Sequence, residues 1–284
     1  MNKTIYMTYY KNIPDFVFKR WKELNPDYNI EFSLDLDCIN FIRSYFNNTV
    51  ANKFINIKSG MYKADLWRLC MLYIYGGVYA DVDLVPYIYL NELNKDVTFY
   101  SCLSYCKTTV FQAFMMVKHP RSPLILYFIM SFLQNCPNII PTEDMYNCLL
   151  YTFNKSKIVS EKIYSTDHIK IPIHIGNSDN NYKIIDLLYF PNNISYKIEA
   201  IHNTDIKFTF NITNNQLYIH SDNKKSWDFD LYCNIIIPSN EKIFLFPEKN
   251  DTLFKTHSEY YVAYENIKLL QSRDLIYERN KGWK

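Results

Sequence analysis

The sequence predicts an α/β fold, a sheet with helices on its faces, and three observations predict it. Strand-period and helix-period segments alternate through the first half of the 284-residue chain. A Gly-Gly pair at 76–77 stops a long helical segment directly before a β-branched strand. Short β-prone stretches with turn residues between them then fill most of the second half.

The elements follow in order. Thr4 to Tyr10 reads as the opening strand. Asp15 to Leu24 reads as a helix that Asn25-Pro26 stops, because proline lacks the N–H the helix needs and disfavours helical geometry in the residue before it. Asn29 to Leu34 is a second strand and Ile39 to Phe46 a second, short helix. Ser59 can cap a third helix, from about Met61 to Tyr75, which the glycine pair ends. Val78 to Val85 reads as one strand closed by Pro86, with Val97 to Leu103 and Val110 to Val117 as further strands. Ser122 to Gln134 and Thr142 to Phe153 have helical periodicity. Beyond about Lys157 the stretches Ile169 to Ile175, Tyr182 to Tyr189, Ile194 to Ile201, Lys207 to Ile212, Gln216 to His220 and Leu231 to Ile237 read as strands. Helical periodicity returns only at Tyr260 to Leu270. No repeat and no Gly/Ser/Pro-rich linker divides the chain. The expected organisation is therefore one continuous unit over residues 1–284, with an α/β core in 1–157 and a β-rich portion in 158–284.

Composition narrows the function. With 48% hydrophobic and 21% charged residues the chain can bury a sizeable core, which excludes disorder as a description of the whole. The 31 basic and 29 acidic residues nearly cancel to a net +2, so nothing in the charge points to nucleic acid. Seven scattered cysteines argue against a disulfide framework, and Cys102 and Cys106 lack zinc-site spacing; reduced thiols in a soluble, intracellular protein are expected. The opening residues show no signal-peptide pattern. The longest apolar run, Leu124 to Leu133 broken by Ser131, falls short of the ~18 residues a membrane helix needs.

Chemistry concentrates in one segment. Asp-x-Asp occurs three times, at Asp35/Asp37, Asp81/Asp83 and Asp228/Asp230, so the bare motif decides nothing. The middle one has context, because it follows Asp65-x-x-Arg68 on the third helix and the glycine pair. Asp65 and Arg68, three apart, project from one face of that helix, while Ala64, Trp67, Met71 and Ile74 form the apolar stripe facing the sheet. On the following strand Tyr79, Asp81 and Asp83 share a face by period two, and Val78, Ala80 and Val82 take the other. Two carboxylates thus emerge at the C-terminal end of a strand, where open α/β sheets place their ligands. Held together they repel, unless a cation sits between them and an anionic ligand. Mg2+ or Mn2+ with a diphosphate meets that need, taking hard oxygen ligands and few protein contacts.

The stretch from Ala64 to Asp83 resembles the signature of glycosyltransferase family 32, the DXD-containing sugar-binding region proteins: Asp-x-x-Arg, then Gly-Gly-x-Tyr-x-Asp-x-Asp. Ile13-Pro14 through Trp21 and Pro26, and Gln112-Ala113-Phe114-Met115, resemble flanking segments of the same family, with Gln112 where Asn is usual. The resemblance covers residues 1 to about 155. It implies a GT-A fold, a Rossmann-like sheet binding a nucleotide sugar. It further implies a retaining transfer from a UDP- or GDP-linked sugar to a glycan or a protein- or lipid-linked hydroxyl acceptor. By that resemblance Asp65 accepts hydrogen bonds from the donor sugar, and Arg68 meets phosphate or sugar. Asp83 binds the metal directly, whereas Asp81 binds it through water and touches the ribose. Tyr79 and Tyr9 belong to the donor site, with the base near Thr8, Tyr9 and Tyr10. A family His…Ser-Trp element has its best counterpart in His220 and Ser226-Trp227, with His257 as a second candidate for a third metal or phosphate ligand. A nucleotide-sugar- or glycan-binding protein of this fold without catalysis is the alternative.

Overall fold

The computed structural model describes residues 1–46, 48–175, 182–186, 197–200, 208–213, 216–221, 231–251, 259–265 and 267–272. Two compact units are present: residues 1–165 together with 241–284, and residues 166–240.

The first unit opens with β1 (Thr4–Thr8), α1 (Phe16–Leu24), β2 (Asn29–Ser33), α2 (Asp35–Tyr45), α3 (Asn48–Asn56) and α4 (Gly60–Tyr75). It continues through β3 (Gly77–Ala80), β4 (Leu84–Pro86), β5 (Phe99–Leu103), β6 (Val110–Val117), α5 (Pro123–Asn135) and α6 (Pro141–Phe153). β7 (Ile163–Ile175), β8 (Tyr182–Asp186), β9 (Lys197–Ala200), β10 (Phe208–Thr213) and β11 (Gln216–Ser221) follow, and β12 (Leu231–Asp251) leads back to the first unit, which ends with β13 (Glu259–Tyr264) and β14 (Ile267–Ser272).

In the first unit the strands run β2-β1-β3-β6-β5-β12-β13-β14-β4. β1 is parallel to both β2 and β3, and β5 is parallel to the later part of β12; β6 lies antiparallel between β3 and β5. Every residue of β1, β3 and β5 is buried, as expected of strands covered on both faces. Ile5, Met7, Val78, Ala80 and Phe114 join Trp21 and Tyr28 in one core cluster. In the second unit β8, β11 and β10 form an antiparallel three-stranded sheet, and β9 pairs antiparallel with the first part of β12.

Three differences separate the structure from the sequence reading. The strand expected over Val78 to Val85 is broken. The Asp81 N–H makes the last ladder bond, to Ala113 O at 2.8 Å, and Leu84 N then turns back to Asp81 O at 3.1 Å. Asp81 and Asp83 therefore sit on a turn between β3 and β4 rather than on one strand face. The helix expected over Tyr260 to Leu270 is a hairpin instead, β13 and β14, with Glu265 in the left-handed region at its turn. Its aromatic and β-branched residues suit a sheet, and pairing with β12 and β4 overrides the apparent helical period. Finally, α3 forms between Asn48 and Asn56, where no element was expected.

The glycine pair does what its position predicts. Gly76 has φ +64 and Gly77 φ +96, and added Cβ atoms would lie 3.0 Å from Val117 O and 2.9 Å from Thr4 O respectively. Only glycine combines that backbone with that approach. Gly76 N closes the helix on Leu72 O at 2.8 Å, and the chain enters β3 one residue later.

Candidate functional site

A cavity of about 1080 Å³ opens at the C-terminal ends of β1 and β3. Its wall comprises Thr8, Tyr9 and Tyr10 beyond β1, Asp35 and Cys38 of α2, Phe54 of α3, and the first turns of α4 with Lys58 and Ser59 before them. Asp65, Trp67, Arg68, Tyr79, Asp81 and Asp83 form its chemical side, with Phe111, Gln112 and Ala113 of β6 and Ile140 and Thr142 beside α6. All of these belong to the first unit.

Arg68 is the hub of the chemical side. Its Nε donates to Ala64 O at 3.2 Å and its Nη1 to Gln112 O at 2.6 Å. Its Nη2 meets Asp65 Oδ1 at 3.1 Å and Asp81 Oδ1 at 3.3 Å, and the guanidinium lies 4.3 Å from the Tyr79 ring centre. Tyr79 Oη donates to the same Asp81 Oδ1 at 2.5 Å. One oxygen of Asp81 is thus fixed twice, while its side chain stays 31% exposed to the cavity side. The geometry follows from the local sequence: Asp65 and Arg68 are one helical turn apart, the glycine reversal returns the chain beside them, and Tyr79 and Asp81 flank Ala80 at the end of β3.

The sequence reading placed Asp65 and Arg68 on one face of an amphipathic helix, away from an apolar stripe packed on the sheet. That expectation fails. Their side chains are 9% and 5% exposed, and every residue from Asp65 to Ile74 is buried. α4 packs against α5, α2, β1, β3 and β6, so it has no solvent face along this length. Burial raises the stakes of each polar contact, because an unpaired charge there would be very costly.

The same burial shifts the titrations. Burial pushes the Asp65 carboxyl up to about 6, against the opposing pull of Arg68 and with a smaller push from Asp81. Burial alone would lower the Arg68 guanidinium, but Tyr79, Asp81, Asp65 and Asp83 facing it raise it instead. The Tyr79 phenol is raised far above its usual range, first by burial, so it remains a donor to Asp81. Three carboxylates face a single guanidinium, so acidic groups outnumber the one cation in the cluster.

The structure brings Asp65, Arg68, Tyr79, Asp81 and Asp83 together, with Tyr9 on the same cavity wall. The Tyr9 and Tyr10 rings lie 4.6 Å apart at a tilt of 44°. Asp35 starts α2 and pairs with Lys63 at 2.9 Å, while Asp37 accepts from Leu34 N. Gln112 is more than an echo of a motif: its carbonyl anchors Arg68 and its Nε2 donates to Pro141 O at 2.9 Å, while its buried Oε1 lacks a partner among the described residues. The backbone of His220 lies in β11 opposite Thr209 of β10. Ser226, Trp227 and His257 lie outside the described residues. Sequence reasoning missed Phe54, Lys58, Gly60 and Lys63 as wall residues. Phe54 and Lys58 belong to or follow the helix it missed, and the Lys63–Asp35 pairing spans elements with no local signal.

Residues 15–100 match the family described as the glycosyltransferase sugar-binding region containing DXD motif. The match takes in Asp65, Arg68, Tyr79, Asp81 and Asp83. Over these residues the chain is similar to a glycosyltransferase sugar-binding region. Among solved structures, the PaToxG glycosyltransferase is similar at 18% identity, covering 53% of this chain and 69% of that one with a TM-score of 0.43. No curated protein matches the sequence significantly. Among the described residues no helix is long and apolar enough to cross a membrane.

Proposed function

We propose that the cavity binds a UDP- or GDP-linked sugar with Mg2+ or Mn2+ and transfers the sugar, with retention at its anomeric carbon, to a hydroxyl of a glycan or of a protein- or lipid-linked acceptor. The observation that carries this reading is the doubly held Asp81, beside Asp83 on the turn after β3. Tyr79 and Arg68 occupy Oδ1 and set the orientation of the carboxylate before any ligand arrives. Among the described residues no cluster of three His, Cys, Asp or Glu side chains could hold a metal. The donor set suits Mg2+ or Mn2+, which are commonly held by one or two carboxylates, with phosphate and water completing the shell. Asp81 and Asp83 would hold the cation; when bound it neutralises the diphosphate and favours its departure as a Lewis acid. An acidic cluster of three carboxylates around one guanidinium would otherwise repel a diphosphate, which supports the same reading.

The chain's own residues do the rest. Asp65, ionised above about pH 6, offers acceptor oxygens to sugar hydroxyls at the cavity wall. Arg68 keeps Asp65 and Asp81 at fixed separation and prevents their mutual repulsion from opening the site. Trp67 and the ring of Tyr79 close the inner wall against water. Tyr9 and Tyr10 present aromatic surface for a base.

Thermal melting of the wild type and of Asp83→Ala with UDP or GDP, with and without Mn2+, tests the reading. A ligand at a hundred times its Kd adds about 2.7 kcal/mol of stability. We expect Mn2+-dependent stabilisation in the wild type, lost in Asp83→Ala at unchanged melting of the free protein. Equal stabilisation of the variant would refute the assignment. Release of the nucleoside diphosphate from its sugar conjugate separates a transferase from a binding protein.

A further inference from the structure

The chain has five glycines, and Gly60, Gly76 and Gly77 lie among the described residues. Gly76 and Gly77 are required by their own fold, through positive φ and backbone oxygens within about 3 Å of any added Cβ. Gly60 is required by neither. Its φ is outside the left-handed region, and a Cβ added there meets no protein atom within 4 Å. As the first residue of α4 it gains nothing from glycine that alanine would not supply at lower conformational cost. It does line the cavity. A glycine-poor chain has left a position bare where no protein atom needs the space.

Its place in the wall says what could need it. Gly60 precedes Asp65 by five residues, so it lies about 7–8 Å along the helix axis from the acidic cluster's first member. One turn on, Lys63 bonds Asp35 at the start of α2, and Cys38 of α2 meets Thr8 at the end of β1 within 3.3 Å. Gly60 therefore belongs to the β1 side of the cavity and the Asp81–Asp83 turn to the β3 side. Resting on the function proposed above, we propose that the nucleoside half of the donor passes directly over the backbone of Gly60, which makes this residue a steric determinant of nucleoside binding.

The experiment compares Gly60→Ala and Gly60→Leu with the wild type. The free proteins are melted, and each is titrated with UDP, with GDP, and with inorganic diphosphate, all in the presence of Mn2+. Both variants should melt at or slightly above the wild-type temperature. Gly60→Leu should lose at least tenfold in affinity for whichever nucleoside diphosphate the wild type binds, and Gly60→Ala less. Binding of inorganic diphosphate, which has no nucleoside, should be unchanged in both. Wild-type affinity for the nucleoside diphosphate in Gly60→Leu overturns the inference. So does an equal loss for inorganic diphosphate, or a lowered melting temperature in both variants, which would make the glycine structural. A wild type that binds neither UDP nor GDP removes the functional reading itself, and this inference with it.

Discussion

The two ends of α4 are built on opposite terms. At its start Met61 is 73% exposed, and Lys63 and Asp35 make an ion pair with 21% and 44% of their side chains in solvent. From Asp65 to Ile74 nothing is exposed, and Arg68 spends its donors on four separate acceptors. The open end leaves room for a ligand to approach, whereas the buried end fixes charged groups where a ligand must meet them. Water separates the two behaviours: a pair that solvent can replace contributes little, and a pair that solvent cannot reach becomes part of the fold.

Substitutions along this stretch should expose that contrast, beginning where the effect is largest. Gly77→Val places a β-branched side chain at φ +96, with its Cβ 2.9 Å from the backbone oxygen of Thr4. Folded, soluble protein should be lost, and recovery of a cooperative melt near the wild-type temperature would show that the reversal can relax. Arg68→Ala comes next. It leaves Asp65 and Asp81 without their shared cation, and breaking such a buried pair costs about 3–5 kcal/mol. Melting should fall accordingly together with donor binding, and Arg68→Lys should recover only part because one ammonium cannot reach all the acceptors.

Asp65 makes the buried end sensitive to pH. Its carboxyl titrates at about 6 in the fold, above the ordinary carboxylate range, so the folded state favours the protonated form. The stabilisation from this group is fully present below about pH 4 and is lost as pH rises through about 6, up to about 3 kcal/mol in all. Between pH 5 and 7.5 the wild type should lose more stability than Asp65→Asn does, as read by denaturant melts at both values. Matching slopes would place the carboxyl in ordinary solvent. The smallest effect belongs to the open end. Lys63→Ala should cost no more than about 1 kcal/mol, although it removes both the bond to Asp35 and the contact with the Phe54 ring. A cost as large as that of Arg68→Ala would erase the distinction between the two ends.

Much of this site was legible because it is local. Asp65, Arg68, the glycine pair, Tyr79, Asp81 and Asp83 lie within one stretch, and spacing alone brings them together. What the spacing could not say is that Arg68 is buried, since α5 and the sheet close over it from elsewhere in the chain. The β3 break at Asp81 was hidden because Val82, Leu84 and Val85 continue a strand pattern, while the turn is set by Ala113 and by β14. The hairpin of β13 and β14 was misread for the same reason: its partners β12 and β4 are distant in sequence. Gly60 was visible as a letter from the start, but its meaning depends on the empty space around it.

The pairing of β4 with β14 joins Leu84 to Ser272 and Pro86 to Leu270. The strand that leaves the Asp81–Asp83 turn therefore has its partner almost at the far end of the described chain. During synthesis its outgoing strand can pack on α1, but among the described residues its strand partner is made nearly two hundred residues later. Closing a loop of that length is slow, and meanwhile an unpaired strand edge is open to wrong partners. A fragment ending near residue 157 would keep every side chain of the acidic cluster and still lack the strand that fixes one arm of its turn.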